Sequence, residues 1–281
     1  MSTLQINTIE LVISQLDEII SESEKTKNPL GYFAALYRCV TVKVKEGIEN
    51  NFFDDGSRME QLDVIFAKRY IDAYYSWQKN EPVTQSWQKA FELSTDFWPI
   101  VLQHLLIGMN AHINLDLGIA AAEVSKNKNI NDLEHDFNKI NEILSSLVNE
   151  VQNDLADIWP TLRKILQKTK NVDDFLVDFS MKLARDGAWK FAKALSATPE
   201  NQIDKYLQER DNKVAEKAGL ITNPGFVASF IFKIIRLGEK GSVEKKSDKL
   251  QLHNFKIAFK KRTDKPKFHG NLHIIFKSKI K

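Results

Sequence analysis

The sequence predicts an all-α fold, with about nine helices arranged around one central buried helix and an atypical basic extension at the C-terminal end. Three observations carry that prediction. Residues 97–123, FWPIVLQHLLIGMNAHINLDLGIAAAE, are apolar nearly all the way round a helical wheel, as in a helix packed on several sides. Apolar residues elsewhere recur at helical spacing up to Leu237, with no convincing strand pattern between them. Boundary signals fall where helices would start or stop, at Asn28-Pro29, Pro82, Pro99, Asn131, Trp159-Pro160 and Asn223-Pro224-Gly225.

Residues 8–23 form the first predicted helix, with Ile9, Val12, Ile13, Leu16, Ile19 and Ile20 on one side and acidic residues on the other. A second helix runs from Pro29 to about Ile48 and carries Arg38 among apolar neighbours. Asp54, Asp55 and Gly56 then lead into a third helix from about Ser57, holding Arg58, Asp63 and Arg69. The two aspartates either cap that helix or project toward the central one. A short helix follows Pro82, and the central helix comes next with Pro99 in its first turn. Asn131 and Glu134 have capping-box spacing at the head of a long helix over 131–159. His135, Asp136 and Asn141 near its start are candidate partners of the central helix, because a short connection favours antiparallel neighbours. Residues 172–196, 200–218 and 226–238 complete the set. Residues 1–238 read as one domain and 239–281 as an extension, disordered or folded as a hairpin around Thr263-Asp264-Lys265-Pro266.

Composition narrows the setting. The chain has 281 residues and is 43% hydrophobic, enough for a sizeable core. The single cysteine, Cys39, excludes an intramolecular disulfide and a cysteine-rich zinc site and fits a reducing, cytoplasmic compartment. The first residues lack a basic region followed by an apolar core, so no signal peptide is expected. The central run is broken by polar residues, so no transmembrane segment is expected. The net charge of +3 is unevenly spread: residues 240–281 hold 13 Lys plus Arg against 3 Asp plus Glu, a net of +10, which leaves −7 on residues 1–239. A basic tail interleaved with Phe suits nucleic acid or an anionic membrane surface.

The central helix carries the chemistry. His104, Gly108, His112 and Asp116 recur every fourth residue and form one stripe; Gln103, Asn110 and Asn114 form a second, roughly opposite. An unpartnered buried polar group costs about 1–3 kcal/mol, so these residues are either satisfied by neighbours or line a site. His112 and Asp116 lie one turn apart, a spacing at which they can share a divalent metal ion or hydrogen-bond as a His–Asp pair. His104 joins a metal set only if both imidazoles lean over Gly108. In a catalytic reading, a hydrolase or oxidase, His104, His112 and Asp116 do the chemistry, either around one divalent metal ion as cofactor or with His112 and Asp116 as a metal-free base and its orienter. Arg38, Arg58 and Arg69 hold an anionic group of a small, partly apolar ligand, and Asn110 and Asn114 line its pocket. In the alternative reading the polar helix is a structural hydrogen-bond network within a non-catalytic binding or interaction protein. No phosphate-binding loop, nucleophile elbow or HExxH motif is present.

The stretches FDDGSRMEQLDVIFAKRY, SWQKAF and VLQHLLIGMNAHINLDLGIAAAE resemble a bacterial, largely helical family known only as a domain of unknown function, DUF5995. The likeness covers roughly residues 29–237 and implies a domain extent without an activity. A weaker similarity is to zinc-dependent phospholipase C and related helical nucleases, whose metal-binding helices also carry His and Asp at helical spacing. This chain lacks their Asp-x-His and Pro-x-x-His pattern and has only three histidines before residue 240.

Overall fold

Thr8, in extended conformation, accepts a hydrogen bond from Leu11 N and starts α1 (Ile9–Thr26). The computed structural model describes residues 6–140, 143, 181–239 and 241–250, and every regular element among the described residues is helical. A short turn folds α2 (Leu30–Glu49) back on α1, with Lys27 in the left-handed conformation at the end of α1 and Asn28 Oδ1 accepting from Leu30 N. Asp55 accepts from Arg58 N at the head of α3 (Gly56–Gln78), so of the two roles open to it Asp55 takes the cap. α4 (Gln85–Glu92) begins where Asp211, a buried carboxylate from a distant helix, accepts from Gln85 N and Ser86 N at 2.7 and 2.9 Å.

The central helix, α5 (Val101–Val124), starts later than its sequence suggests. Ile100 is extended and Gln103 Oε1 accepts from its N–H, so Pro99 lies outside the helix and Phe97 and Trp98 stand exposed before it. A 3₁₀ turn (Ile130–Leu133), capped by Asn129 rather than Asn131, leads into α6, described over 134–140. Apart from Ile143, the remainder of the long helix predicted over 131–159, Asn141 included, and the predicted start over 172–180 lie outside the described residues. α7 (Met181–Ser196), α8 (Ile203–Thr222), α9 (Phe226–Gly238) and α10 (Val243–Leu250) follow.

Around α5 the neighbours divide by position. α2, α4 and α8 pack on its first half and α3 and α7 on its second. Two glycines allow the closest approaches. A Cβ on Gly108 would lie 2.5 Å from the Phe33 ring, and one on Gly118 would lie 2.4 Å from Phe191 and 3.0 Å from the Ala188 carbonyl. By length and composition α5 would suffice to cross a membrane, but 83% of its most apolar window is buried inside the protein. The helical body also runs past the boundary expected at 238. Glu239 accepts from Val101 N at 2.9 Å and pairs with Arg236 and Lys246, while α10 packs on α2 and Leu250 is fully buried. Residues 251–281 lie outside the description.

Candidate functional site

His112–Asp116 forms a π-helical turn in the middle of α5. A π turn takes up an extra residue and interrupts the regular hydrogen-bond ladder of the helix, a feature found often at functional sites. Here it is pinned on two sides. On one, Asp116, with no exposed surface, accepts from Arg69 Nε of α3 at 2.7 Å and from Trp87 Nε1 of α4 at 2.8 Å. Its Oδ2 lies 3.1 Å from His112 Nδ1. A carboxylate can only accept, so the proton of that bond sits on Nδ1 and Nε2 keeps its lone pair. On the other side, Asn114 Nδ2 donates to Asn110 Oδ1, Asn110 Nδ2 donates to the Val214 carbonyl of α8, and Arg210 Nε donates to the Asn114 carbonyl at 2.8 Å. Arg210 thus ties α8 to the backbone of the turn itself.

The His112 imidazole sits in an aromatic cage. Phe66 stacks on it with centroids 3.6 Å apart and planes 8° from parallel, and Tyr37 meets it edge-on at 4.5 Å. Phe33, Trp87 and Tyr70 close the surround at 5.7, 5.9 and 6.1 Å. Nε2 is buried and makes no hydrogen bond. Burial pushes this imidazole below the usual histidine range, against the opposing pull of Asp116. On the Tyr37 side, burial also pushes the Asp63 carboxyl up to about 8, with Glu60 adding to the effect.

Of the residues singled out in the sequence, His112, Asp116 and Arg69 come together, and the others do not join them. His104 lines a separate cavity of about 20 Å³ with Gly108, Phe33, Tyr70, Trp87 and Phe91, room for little more than a water molecule. Burial, with Arg236 and Lys246 nearby, pushes its pKa down to about 3. Phe33 fills the space over Gly108 where two leaning imidazoles would have met, so the glycine serves ring packing. Arg38 pairs with Asp17 on the surface. Arg58 donates to the Asp132 carbonyl and joins α3 to the 3₁₀ turn. Asn110 and Asn114 rivet two helices together through their side-chain amides.

Asp136 and His135 likewise turn away from α5. Asp136 accepts from Asp54 N and Asp55 N at 2.7 and 2.8 Å, and His135 bonds to the Asp54 carboxylate. Asp54, His135 and Asp136 are close enough to hold a cation, but Lys139 Nζ already occupies that position, 2.8 Å from Asp54 and 3.3 Å from Asp136. The proposed metal set of His104, His112 and Asp116 does not fit an ion either. Both Asp116 oxygens are engaged by N–H donors, Nδ1 of His112 is spent on one of them, and His104 lies apart beside the cavity over Gly108.

Two parts of the site were missed in the sequence. Trp87 supplies a third donor to Asp116, and its only signal was its place within SWQKAF. Phe33 with Tyr37, and Phe66 with Tyr70, are aromatic pairs at i, i+4 on two helices, a legible sign that each helix presents an aromatic face to one point.

Fold and site together define an all-α domain organised on a buried polar helix with a central π turn. The chain belongs to DUF5995, a family of unknown function, which matches residues 9–224. Neither curated proteins nor solved structures give a match.

Proposed function

We propose that this protein is a non-catalytic binding or interaction protein in which the polar groups of α5 form a structural network locking α3, α4, α5 and α8 together. The supporting observation is the state of Asp116: buried, and bonded by donors from two other helices and from His112. A small-molecule site would leave some of that bonding capacity, and some volume, for its ligand. A reducing, cytoplasmic setting fits the lone Cys39, which is buried with Sγ 3.2 Å from the Leu250 carbonyl.

One observation favours a second reading. The lone pair on His112 Nε2 has no partner, and with Asp116 holding the Nδ1 proton the pair has the bonding pattern of a metal-free general base. Proton transfer at Nε2 would require the aromatic cage to open. Diethyl pyrocarbonate labelling of the native, untagged full chain, mapped by peptide mass spectrometry alongside metal analysis, separates the two. The structural reading expects the exposed His135 to label and His112 to stay protected until the protein unfolds, with no stoichiometric metal. Fast labelling of His112 in the folded protein, or bound metal that disappears in His112→Ala, would sink it.

A further inference from the structure

Seven large hydrophobic side chains stand exposed among the described residues, and all fall in adjoining stretches: Phe97 and Trp98 before α5, Leu220 near the end of α8, and Phe226, Phe230, Ile234 and Leu237 on α9. The four on α9 follow helical spacing and make one face, while Ala228, Phe232 and Ile235 on its other side are buried in the body. Phe226 is 88% exposed and Leu237 73%, values unusual for side chains of this size. The stretch before α5 is fastened to this face. Arg236 Nε donates to the Phe97 carbonyl at 2.6 Å with its guanidinium over the Phe97 ring, and the Lys233 ammonium lies 5.5 Å from the Trp98 ring centre. The result is an aromatic and aliphatic patch flanked by Lys233 and by Arg236, whose guanidinium also pairs with Glu239 just beyond the helix; α9 itself contains no acidic residue.

We infer that this face docks on an anionic lipid bilayer, with α9 lying in the interfacial plane and Trp98 and the phenyl rings entering the headgroup boundary. This names a partner class for the interaction-protein reading and rests on it. The occupant is argued from charge. Residues 251–281, which follow α10, hold 9 Lys plus Arg against 1 Asp plus Glu, whereas residues 1–239 carry −7. A negative surface attracts this basic segment, and at the patch itself Lys233 and Arg236 set cations against the exposed Trp98 and Phe97 rings. Stable peripheral attachment usually takes two signals, and an apolar face with a polybasic segment supplies both. Asp96, exposed beside Phe97, is an acid at the patch edge and weakens attraction there.

The test is flotation of the full chain with phosphatidylcholine vesicles containing roughly 30% phosphatidylserine, and with phosphatidylcholine alone. Wild type should float with the anionic vesicles and not with the neutral ones. The combined variant Phe230→Glu, Ile234→Glu should bind about tenfold or more weakly, since it removes two apolar side chains from the contact. Its melting temperature should match wild type, because both positions face outward. If that variant fails to fold, Trp98→Ser gives the same comparison from the other stretch. Binding that survives both variants and vanishes only in high salt would overturn the role of the face and leave the basic segment alone as the binder. No vesicle binding also overturns the proposal, whether wild type is monomeric, with the patch free or covered by its own tail, or is a dimer broken by Phe230→Glu, in which case a second copy occupies the patch. None of these substitutions touches His112, so a failure here is distinct from the labelling result that would sink the structural reading.

Discussion

Replacing Asp116 by Asn keeps the shape of the side chain and removes its capacity to accept at both oxygens. The carboxylate accepts from Arg69, Trp87 and His112 with no exposed surface. A carboxamide has one accepting oxygen and an NH₂ group. Turned one way, the NH₂ meets the Trp87 and His112 N–H groups; turned the other, it meets Arg69. His112 can relieve its clash by moving its proton to Nε2, but an indole has no such option. The second orientation therefore wins, and Arg69, whose side chain is 29% exposed, swings toward water.

What is lost is one charge-assisted hydrogen bond, and what is gained is a buried NH₂ short of acceptors, about 3 kcal/mol together. That sits at the low end for breaking a buried ion pair, because the freed arginine is partly solvated. For a domain of this size it corresponds to a fall in melting temperature of roughly 6–12 °C. Thermal denaturation followed by circular dichroism measures it. Arg69→Met alone strands the carboxylate, so the double variant Asp116→Asn, Arg69→Met should be less destabilised than the two single effects combined, by about 1–3 kcal/mol. A melting point for Asp116→Asn within about 1 °C of wild type, or strict additivity in the cycle, would refute the claim that this network holds the helices together.

Two further predictions follow from the same packing. Gly108→Ala gains about 1 kcal/mol of helix propensity but drives its Cβ into the Phe33 ring, so a net loss of about 1–3 kcal/mol is expected in urea unfolding, relieved by adding Phe33→Leu. A stabilised Gly108→Ala would mean that the ring moves aside freely. The second concerns Asp63, whose folded pKa of about 8 lies above an unfolded value near 3.9. Between those values the native state holds a proton that the unfolded chain has released, so its contribution to stability falls as pH rises, by up to about 1.4 kcal/mol per unit, and is gone above the folded pKa. Asp63→Asn lacks this loss. Its stability relative to wild type should climb between about pH 5 and pH 8, and parallel pH profiles would contradict the burial of that carboxyl.

The histidines act in the opposite direction. His104 and His112 are held neutral below the usual range, so each contributes stability that is present above its unfolded value and lost as pH falls below it. Comparing variant with wild type at each pH, rather than reading the wild-type curve alone, isolates Asp63 from them.

Helix existence was readable because it rests on local physics. The spacing of apolar residues in α1, the capping position of Asp55 and the all-round apolarity of α5 each depend on neighbours in sequence. The pairing of His112 with Asp116 was readable for the same reason, since both lie on one helix. The Asn110–Asn114 ladder was also legible as a stripe, although not the helix it grips.

Contacts between helices were not legible in this way. Arg69 was one of three arginines with equal claims until α3 was docked on α5, and Trp87 had none until α4 was in place. Asp136 was a candidate partner of the central helix and instead accepts from the backbone of Asp54 and Asp55, because the turn of 130–133 aims α6 at the entry to α3. Gly108 announced that something came close, but only the packed α2 shows it to be Phe33. The π turn was invisible, since a helix of even apolarity keeps no phase by which an extra residue would show. Most of the described helices and the His112–Asp116 spacing were therefore legible, since they depend on residues a turn or less apart, whereas the start of α5, the cap at Asn129 and the helix α10 were not. Tertiary structure alone decided which groups complete the network and which apolar face is left outside, because both depend on how helices far apart in sequence fit together.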